Sequence, residues 1–272
     1  SVRRLVDQRR EQSARSYRQD KNVKKYVVTA SLMAGLSMIS GAAFAQTSGT
    51  IGAGIAHIDP DGGDNTQSYG INGGVTIPVS GNLAVLLEGA YATNDDADVD
   101  TLSGAAHLIS RDANQAFGGF VGIANVDGGG ADADVWSIGG EYAKFYDTYT
   151  LAGTVAYASA DDTDVDAWGL QGEYRLFVDD NTRFDIGLGW ANIDTGFGEG
   201  DGFQIGSGVE YRFADSPISI GANVSYIDVA DSNNFMVVGA TLRFDFGNVS
   251  LKARDRTGNT FGSANGLLSF LQ

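Results

Sequence analysis

Apolar and polar residues alternate strictly along Phe235–Phe246. One face carries only apolar side chains, Met236, Val238, Ala240, Leu242, Phe244 and Phe246. The other face carries Val237, Gly239, Thr241, Arg243 and Asp245. A period of two residues predicts a β-strand with one apolar side and one polar side.

The same alternation recurs along the chain after residue 46, and it predicts an all-β protein of about twelve strands, with ten to fourteen as the range. The predicted strands cover 50–58, 69–78, 83–92, 102–110, 115–126, 135–144, 149–159, 167–177, 182–193, 203–213, 218–227 and 235–246. Most of them have the nine to twelve residues that cross a bilayer at a tilt. No helical period is recognised after residue 46. Segment 250–261 is a weak candidate for a further strand.

The links between predicted strands alternate between compact turns and longer acidic loops. Compact turns at one end and longer loops at the other are typical of transmembrane barrels, with the turns in the periplasm. The six loops carry 19 Asp or Glu and no Lys or Arg. The residues singled out in them are Asp95, Asp96, Asp98, Asp100, Asp161, Asp162, Asp164 and Asp166.

Aromatic residues gather at both ends of the predicted strands, as expected where a membrane meets water. Trp136, Trp168 and Trp190 fall at the loop end, whereas Tyr142, Tyr174 and Tyr211 fall at the turn end. A soluble β-sandwich is the alternative, but it gives no reason for two aromatic girdles or for a polar face rich in Gly, Ala, Ser and Thr.

The pattern Gly239-x-x-Leu242-x-Phe244-x-Phe246 resembles the last-strand signal of Gram-negative outer-membrane β-barrels. The resemblance to this porin-like class covers roughly residues 46–246 and implies an antiparallel up-and-down transmembrane barrel in the outer membrane. It further implies contact with outer-membrane lipid and lipopolysaccharide, and with the barrel assembly machinery. This chain departs from the class by continuing 26 residues beyond Phe246, as a tail over 247–272. Its basic stretch 250–256 is expected either to reach the acidic lumen or to lie in the periplasm.

The N-terminal region is predicted to lie outside the barrel. Residues 23–45 combine Lys24 and Lys25, an apolar run and a small-x-small end, which is the layout of a secretory signal peptide cleaved between Ala45 and Gln46. Residues 1–22 are rich in Arg and Gln and are interpreted as upstream sequence that does not belong to the native protein.

Composition and charge narrow the function. The 272-residue chain has no cysteine, which excludes disulfides and thiol chemistry. Its net charge of −16 argues against nucleic-acid binding. The acidic loops suggest either a cation-concentrating mouth or carboxylates that bind divalent cations shared with lipopolysaccharide, while simple turn-forming loops explain them equally well. No resident cofactor or protein metal site is predicted.

A Glu-Tyr pair recurs near the turn end, with the glutamate predicted to face the lumen. The predicted lumenal charges are Glu88, Glu141, Glu173, Arg175, Glu210, Arg212 and Arg243. They fit a charged constriction that sets conductance, or a ladder of ion pairs that fixes the register. The favoured function is a narrow passive channel for ions or small solutes, with a cation preference.

A non-conducting structural or surface-interaction barrel is the alternative. An outer-membrane hydrolase is a distant third, because His57 and His107 lie in no catalytic motif and the protein is not expected to be an enzyme.

Overall fold

The structure is a computed structural model that describes residues 47–94, 98–128, 131–160, 165–194, 198–229, 234–247 and 249–261. Residues 1–46 lie outside the described residues. They include the upstream segment 1–22, the predicted signal peptide 23–45 and the predicted cleavage position between Ala45 and Gln46.

Twelve strands form the described chain, in agreement with the count predicted from the alternation. They are β1 Ser48–Pro60, β2 Thr66–Ser80, β3 Leu83–Asn94, β4 Val99–Arg111, β5 Gln115–Gly128, β6 Ala131–Phe145, β7 Tyr149–Ala160, β8 Val165–Asp179, β9 Thr182–Asp194, β10 Glu199–Arg212, β11 Ile218–Val229 and β12 Phe235–Phe246. Most extend a few residues further toward the loops than the pattern predicts.

Every strand pairs antiparallel with its neighbours in sequence, and β1 pairs with β12, so the sheet closes on itself. The closing register runs from Gly49 opposite Phe246 to Pro60 opposite Phe235. A closed sheet has no edge with unpaired backbone groups, and this is what permits strands to lie in a bilayer.

Side chains alternate between the two faces of the barrel as the sequence pattern predicts. On β12, Leu242 and Phe244 are about half exposed at 55% and 48%, whereas Asp245 is 2% exposed. A soluble protein buries most of its large apolar side chains, whereas this barrel exposes many of them along its outer face and keeps its ion-paired charges inside. The inverted arrangement identifies the outer surface as the lipid-facing one.

The turn end of the barrel is built from short, locally stabilised links. Gly81, between β2 and β3, has a φ of 54°, a left-handed conformation that glycine adopts without strain. Between β8 and β9, Asp179 accepts hydrogen bonds from the Asn181 backbone N–H at 2.7 Å and from the Thr182 hydroxyl at 3.0 Å. Such Asx turns hold tight hairpins together.

The C-terminal tail contains the one helix of the described chain, α1, at Leu251–Thr257. The expectation that no helix follows residue 46 is therefore wrong, and so is a further strand over 250–261. Seven residues make only two helical turns, too few to show a hydrophobic period. Among the described residues, no helix is long and apolar enough to cross a membrane.

Candidate functional site: the barrel lumen and its C-terminal plug

The helix α1 is capped at both ends by its own sequence. The Ser250 hydroxyl accepts a hydrogen bond from the Ala253 N–H at 3.1 Å, and the Gly258 N–H donates to the Arg254 carbonyl at 2.9 Å. An isolated helix of this length is unstable in water. Its stability must therefore come from the barrel wall, and we refer to residues 250–261 as the plug.

The strongest contact between the plug and the wall is made by Arg254. Its Nη1 and Nη2 lie 2.9 Å and 2.5 Å from the two carboxylate oxygens of Glu210 on β10. Nη1 also lies 3.2 Å from a carboxylate oxygen of Asp245 on β12. Burial alone would lower the pKa of Arg254, but the attraction of Glu210 and Asp245 outweighs burial and raises that pKa. The guanidinium therefore stays charged.

A second buried ion pair holds the next residue of the plug. The Asp255 carboxylate accepts hydrogen bonds from Arg175 Nη1 on β8 and from the Thr150 hydroxyl on β7, both at 2.6 Å. The other terminal nitrogen of Arg175 lies 2.6 Å from Glu173. Arg175 thus links a wall carboxylate to a plug carboxylate.

The opposite wall binds the remainder of the plug. Arg111 on β4 donates to the Gly258 carbonyl at 3.1 Å. Asn259 accepts from the Thr76 hydroxyl on β2 at 2.9 Å. Phe261 is 3% exposed and belongs to an apolar cluster with inward residues of β3 to β6: Leu86, Ile109, Ala116, Ala143 and Phe145. These contacts lie on both sides of the lumen, so the plug crosses the barrel at its turn end.

The lumenal charges singled out in the sequence all lie on the inner face, and most are paired. Glu210 and Arg243 are 3.1 Å apart, Glu173 and Arg175 are 2.6 Å apart, and Arg212 lies 3.4 Å from Asp245. Glu88 and Glu141 meet at His107, whose Nε2 and Nδ1 lie 3.4 Å and 2.9 Å from them. The arrangement is a set of separate ion-pair clusters around the wall.

Several residues of these clusters were not predicted. Asp245, Arg254 and Asp255 complete the network at the plug, and Arg183 pairs with Asp185 on β9 at 2.6 Å. Asp245 and Asp185 stand at inward-facing positions in the alternating pattern of their strands, and this could have identified them. Arg254 and Asp255 lie outside the alternating pattern, and the signal for them was the basic charge of the stretch 250–256, which left a position in the lumen and one in the periplasm both open.

Two adjoining cavities occupy the lumen between the plug and the loop end. The inner cavity, of about 350 Å³, lies against the plug residues Asn259, Thr260 and Phe261. The outer cavity, of about 290 Å³, lies nearer the loops. Asn72 and Arg243 line both cavities and therefore mark the passage between them.

Two of the acidic loop residues within the described chain point away from this lumen. Asp100 and Asp166 lie on the outer face, where they accept hydrogen bonds at 2.8 Å from the hydroxyls of Tyr91 and Tyr157. Asp98 precedes β4 in a left-handed conformation, with a φ of 50°. Asp95, Asp96, Asp161, Asp162 and Asp164 lie outside the described residues. The described chain contains no group of three His, Cys, Asp or Glu side chains suited to a metal ion.

The predicted interface aromatics lie on the outer face at the two ends. Trp136 and Trp168 are 41% and 45% exposed, and Trp190 packs edge-on against Trp168 with ring centroids 4.6 Å apart. At the other end, Tyr142, Tyr174 and Tyr211 are 47%, 36% and 42% exposed. The two groups flank an aliphatic band, which is the arrangement of a membrane-embedded barrel.

Comparison with solved structures gives the same fold. An outer membrane channel from Pseudomonas putida F1 is 13% identical, with a TM-score of 0.56, and the match covers 74% of this chain and 95% of that one. The CymD monoaromatic hydrocarbon channel is 10% identical, with a TM-score of 0.50, and the match covers 75% of this chain and 89% of that one. No protein-family model matches this sequence, and no curated protein matches it.

The fold is therefore that of the outer-membrane β-barrels, and the predicted class and location are confirmed at this level. Identities this low establish shared architecture, whereas the solute and the mechanism must be argued from this chain's own residues.

Proposed function

We propose that this protein is an outer-membrane channel for ions or small solutes, which its own C-terminal plug closes at the turn end. The observation that carries the proposal is the position of the plug: residues 250–261 lie across a lumen that otherwise contains two adjoining cavities. Open space behind a closed end is expected of a channel that can open. The plug and the cavities together favour a gated channel.

The lining of the lumen supports passage of polar solutes. Inward positions around the outer cavity are mostly small or uncharged polar residues, among them Gly52, Ser68, Ser103, Asn223 and Thr241. Small side chains leave space along the axis, and their hydroxyl and amide groups replace part of the hydration of a passing solute. A barrel of twelve strands falls between the small, filled barrels and the wide porins.

A non-conducting structural barrel is the second candidate, and the strength of the plug contacts favours it. Arg254 and Asp255 are 4% and 1% exposed, and both are held by more than one partner. A plug bound in this way opens rarely unless something displaces it. The two candidates differ in whether removal of the plug produces current.

No catalytic role is proposed for His107. Both of its ring nitrogens face carboxylates, those of Glu88 and Glu141, so the side chain serves to hold two strands. An assay of the wild type and of His107→Ala on lipid substrates tests this. Hydrolysis by the wild type that the substitution abolishes would establish an enzyme instead.

The predicted partners of the outer surface remain proposals. Asp100 and Asp166 are bonded to outward tyrosines, and we propose that divalent cations bridge these carboxylates to lipopolysaccharide phosphates. A rise in unfolding temperature on adding calcium in lipopolysaccharide vesicles, absent in phosphatidylcholine vesicles, would support this partner. The last-strand signal ending at Phe246 is proposed to engage the assembly machinery before the plug folds.

Planar-bilayer recording of three proteins tests the channel. The first is the protein from residue 46 to 272, the second ends at residue 246, and the third carries Thr76→Cys and Asn259→Cys joined by a short thiol crosslinker. Because the chain has no other cysteine, the crosslink is specific. We expect steady current from the shortened protein, rare openings from the full chain and none from the crosslinked one. A folded shortened barrel without current would reject the channel in favour of the structural barrel.

A further inference from the structure

The outer cavity carries a single charged side chain among its described lining residues, and that residue is Arg243. The remainder of the lining is apolar, or polar without charge. Arg243 is paired with Glu210, but that carboxylate does not line the outer cavity, so the charge that a solute there meets directly is that of the guanidinium. A charge at such close range attracts solutes of opposite sign. The charge that lines the outer cavity is therefore positive.

Arg243 projects over a glycine that leaves room for it. In the strand register, Gly52 lies between Arg243 of β12 and Asn72 of β2. A Cβ at Gly52 would lie 2.7 Å from the Asn72 side-chain oxygen and 3.0 Å from Arg243 Cγ. The aliphatic stem of Arg243 and the carboxamide of Asn72 thus pack over this position, and both side chains line the two cavities.

The guanidinium of Arg243 is only partly engaged by the protein. Its Nη1 donates to Glu210 at 3.1 Å, and its side chain is 27% exposed, the highest value among the lumenal arginines that form ion pairs. Glu210 is itself shared with Arg254 and Arg183. The carboxylate therefore leaves donor groups of Arg243 directed into the lumen.

The inner cavity continues the positive lining. Four guanidiniums line it, from Arg175, Arg183, Arg243 and Arg254, against the two carboxylates of Glu88 and Glu173. Of the carboxylates that pair with these arginines, Glu173 lines the cavity and Asp185 does not. Glu210, Asp245 and Asp255 do not line it either and are 3%, 2% and 1% exposed. A solute in the lumen consequently meets donors more often than acceptors.

We propose that the lumen binds small organic carboxylates, with Arg243 as the main contact and Asn72 as a second donor. The proposal rests on the channel function above and specifies its solute class. A guanidinium matches a carboxylate in geometry and donates two parallel hydrogen bonds to it. Cavities of 290 and 350 Å³ accommodate a molecule of a few heavy atoms in each.

Calorimetric titration of the full chain in detergent tests the proposal. The probe is succinate, and its neutral diamide, succinamide, is the matched control because it keeps the size and removes the charge. We expect succinate to bind and succinamide to bind at least about tenfold more weakly, since hydrogen bonds from the guanidinium to a charged carboxylate are stronger than those to a neutral amide. Equal binding of the two probes, or binding of neither, would overturn the proposal.

Substitutions locate the site. Arg243→Ala should weaken succinate binding at least about tenfold, Arg243→Lys should weaken it less, and Asn72→Ala should have an intermediate effect without disturbing a buried ion pair. Lys144→Ala is the control, because Lys144 lies on β6 outside both cavities. Unchanged affinity in Arg243→Ala and Asn72→Ala would overturn the assignment.

The binding measurement is independent of ion flow. A barrel that binds succinate but gives no current keeps the site and rejects the channel. One that conducts after loss of the plug but does not distinguish succinate from succinamide keeps the channel and rejects the site.

Discussion

The Arg254 guanidinium lies parallel to the Glu210 carboxylate, with two nitrogen–oxygen distances of 2.9 and 2.5 Å. The two residues are 44 positions apart, one on the plug helix and the other on the inner face of β10. Both side chains are almost fully buried. Two-point pairing of this kind fixes orientation as well as distance, so this contact sets how the plug lies in the barrel.

Arg254→Ala should release the plug. Without the guanidinium, Glu210 and Asp245 lose a buried counter-charge, and breaking a buried pair from one side costs about 3–5 kcal/mol. Lys252 and Arg256, which remain in the released tail, should then be cleaved by trypsin in the folded barrel. Mass spectrometry of the digest measures the cleavage and its rate.

The control for Arg254→Ala is Asp180→Asn. It removes a plug contact of a different kind, the 3.7 Å pair between Lys252 and Asp180, whose carboxylate is 71% exposed. An exposed pair contributes about 0–1 kcal/mol, so trypsin sensitivity should not change. If both variants behave like the wild type, the buried pair does not hold the plug.

Close packing inside the barrel makes a second prediction at Gly139, and Gly172, on the outer face of β8 with Leu170, provides the comparison. A Cβ at Gly139 would overlap the Phe120 ring and lie 2.6 Å from the Val155 carbonyl oxygen, whereas a Cβ at Gly172 would meet nothing within 4 Å. The backbone oxygen cannot move aside as a side chain can. Gly139→Ala should therefore destabilise the barrel by about 1–3 kcal/mol, measured as the free energy of unfolding in urea.

Gly172→Ala is the matched control for this substitution and should change the free energy of unfolding by no more than about 0.5 kcal/mol. Equal effects of the two substitutions would mean that the strand backbone, and not the packing of the lumen, decides the cost.

The barrel was predictable from the sequence, and its closure at the turn end was not. Lipid on one side and water on the other impose the same period of two on every strand, so β12 and its neighbours show the same alternation. The plug has no repeated pattern. Arg254 and Asp255 are placed by partners on distant strands, and no local rule connects Arg254 with Glu210 or Asp255 with Arg175.

For the lumenal charges, the sequence predicts the direction of each side chain but not its partner. Parity within a strand predicts that Glu210 faces inward, but its contact with Arg254 depends on where the tail folds. The acidity of the loops alone suggested that their carboxylates form the mouth of a pore, whereas Asp100 and Asp166 are bonded to outward tyrosines. The direction of a side chain beyond the last bilayer residue is set by such contacts.

The position of the tryptophans predicts the depth of the barrel in the membrane. Trp136, Trp168 and Trp190 are the only tryptophans of the chain and all lie at the loop end. Their fluorescence should be quenched more strongly by lipids brominated near the headgroup than by lipids brominated at the end of the acyl chain. Stronger quenching at the chain ends would place this girdle at the bilayer centre and contradict the arrangement.

The salt dependence of ion selectivity shows whether the acidic loops or the lumenal Arg243 determine the preference between cations and anions. Selectivity is measured as the reversal potential in a salt gradient, on the protein that ends at residue 246. At about 0.01 M salt the Debye length is about 30 Å, and at 1 M it is about 3 Å. Changing Asp95, Asp96, Asp98 and Asp100 to Asn should therefore reduce cation preference at low salt and have little effect at 1 M. Arg243→Ala should shift the reversal potential toward cations at both, because Arg243 lies in the lumen, where screening is weak. A dominant effect of the loop carboxylates at 1 M would place the selectivity filter at the mouth and restore the cation-selective interpretation of the sequence.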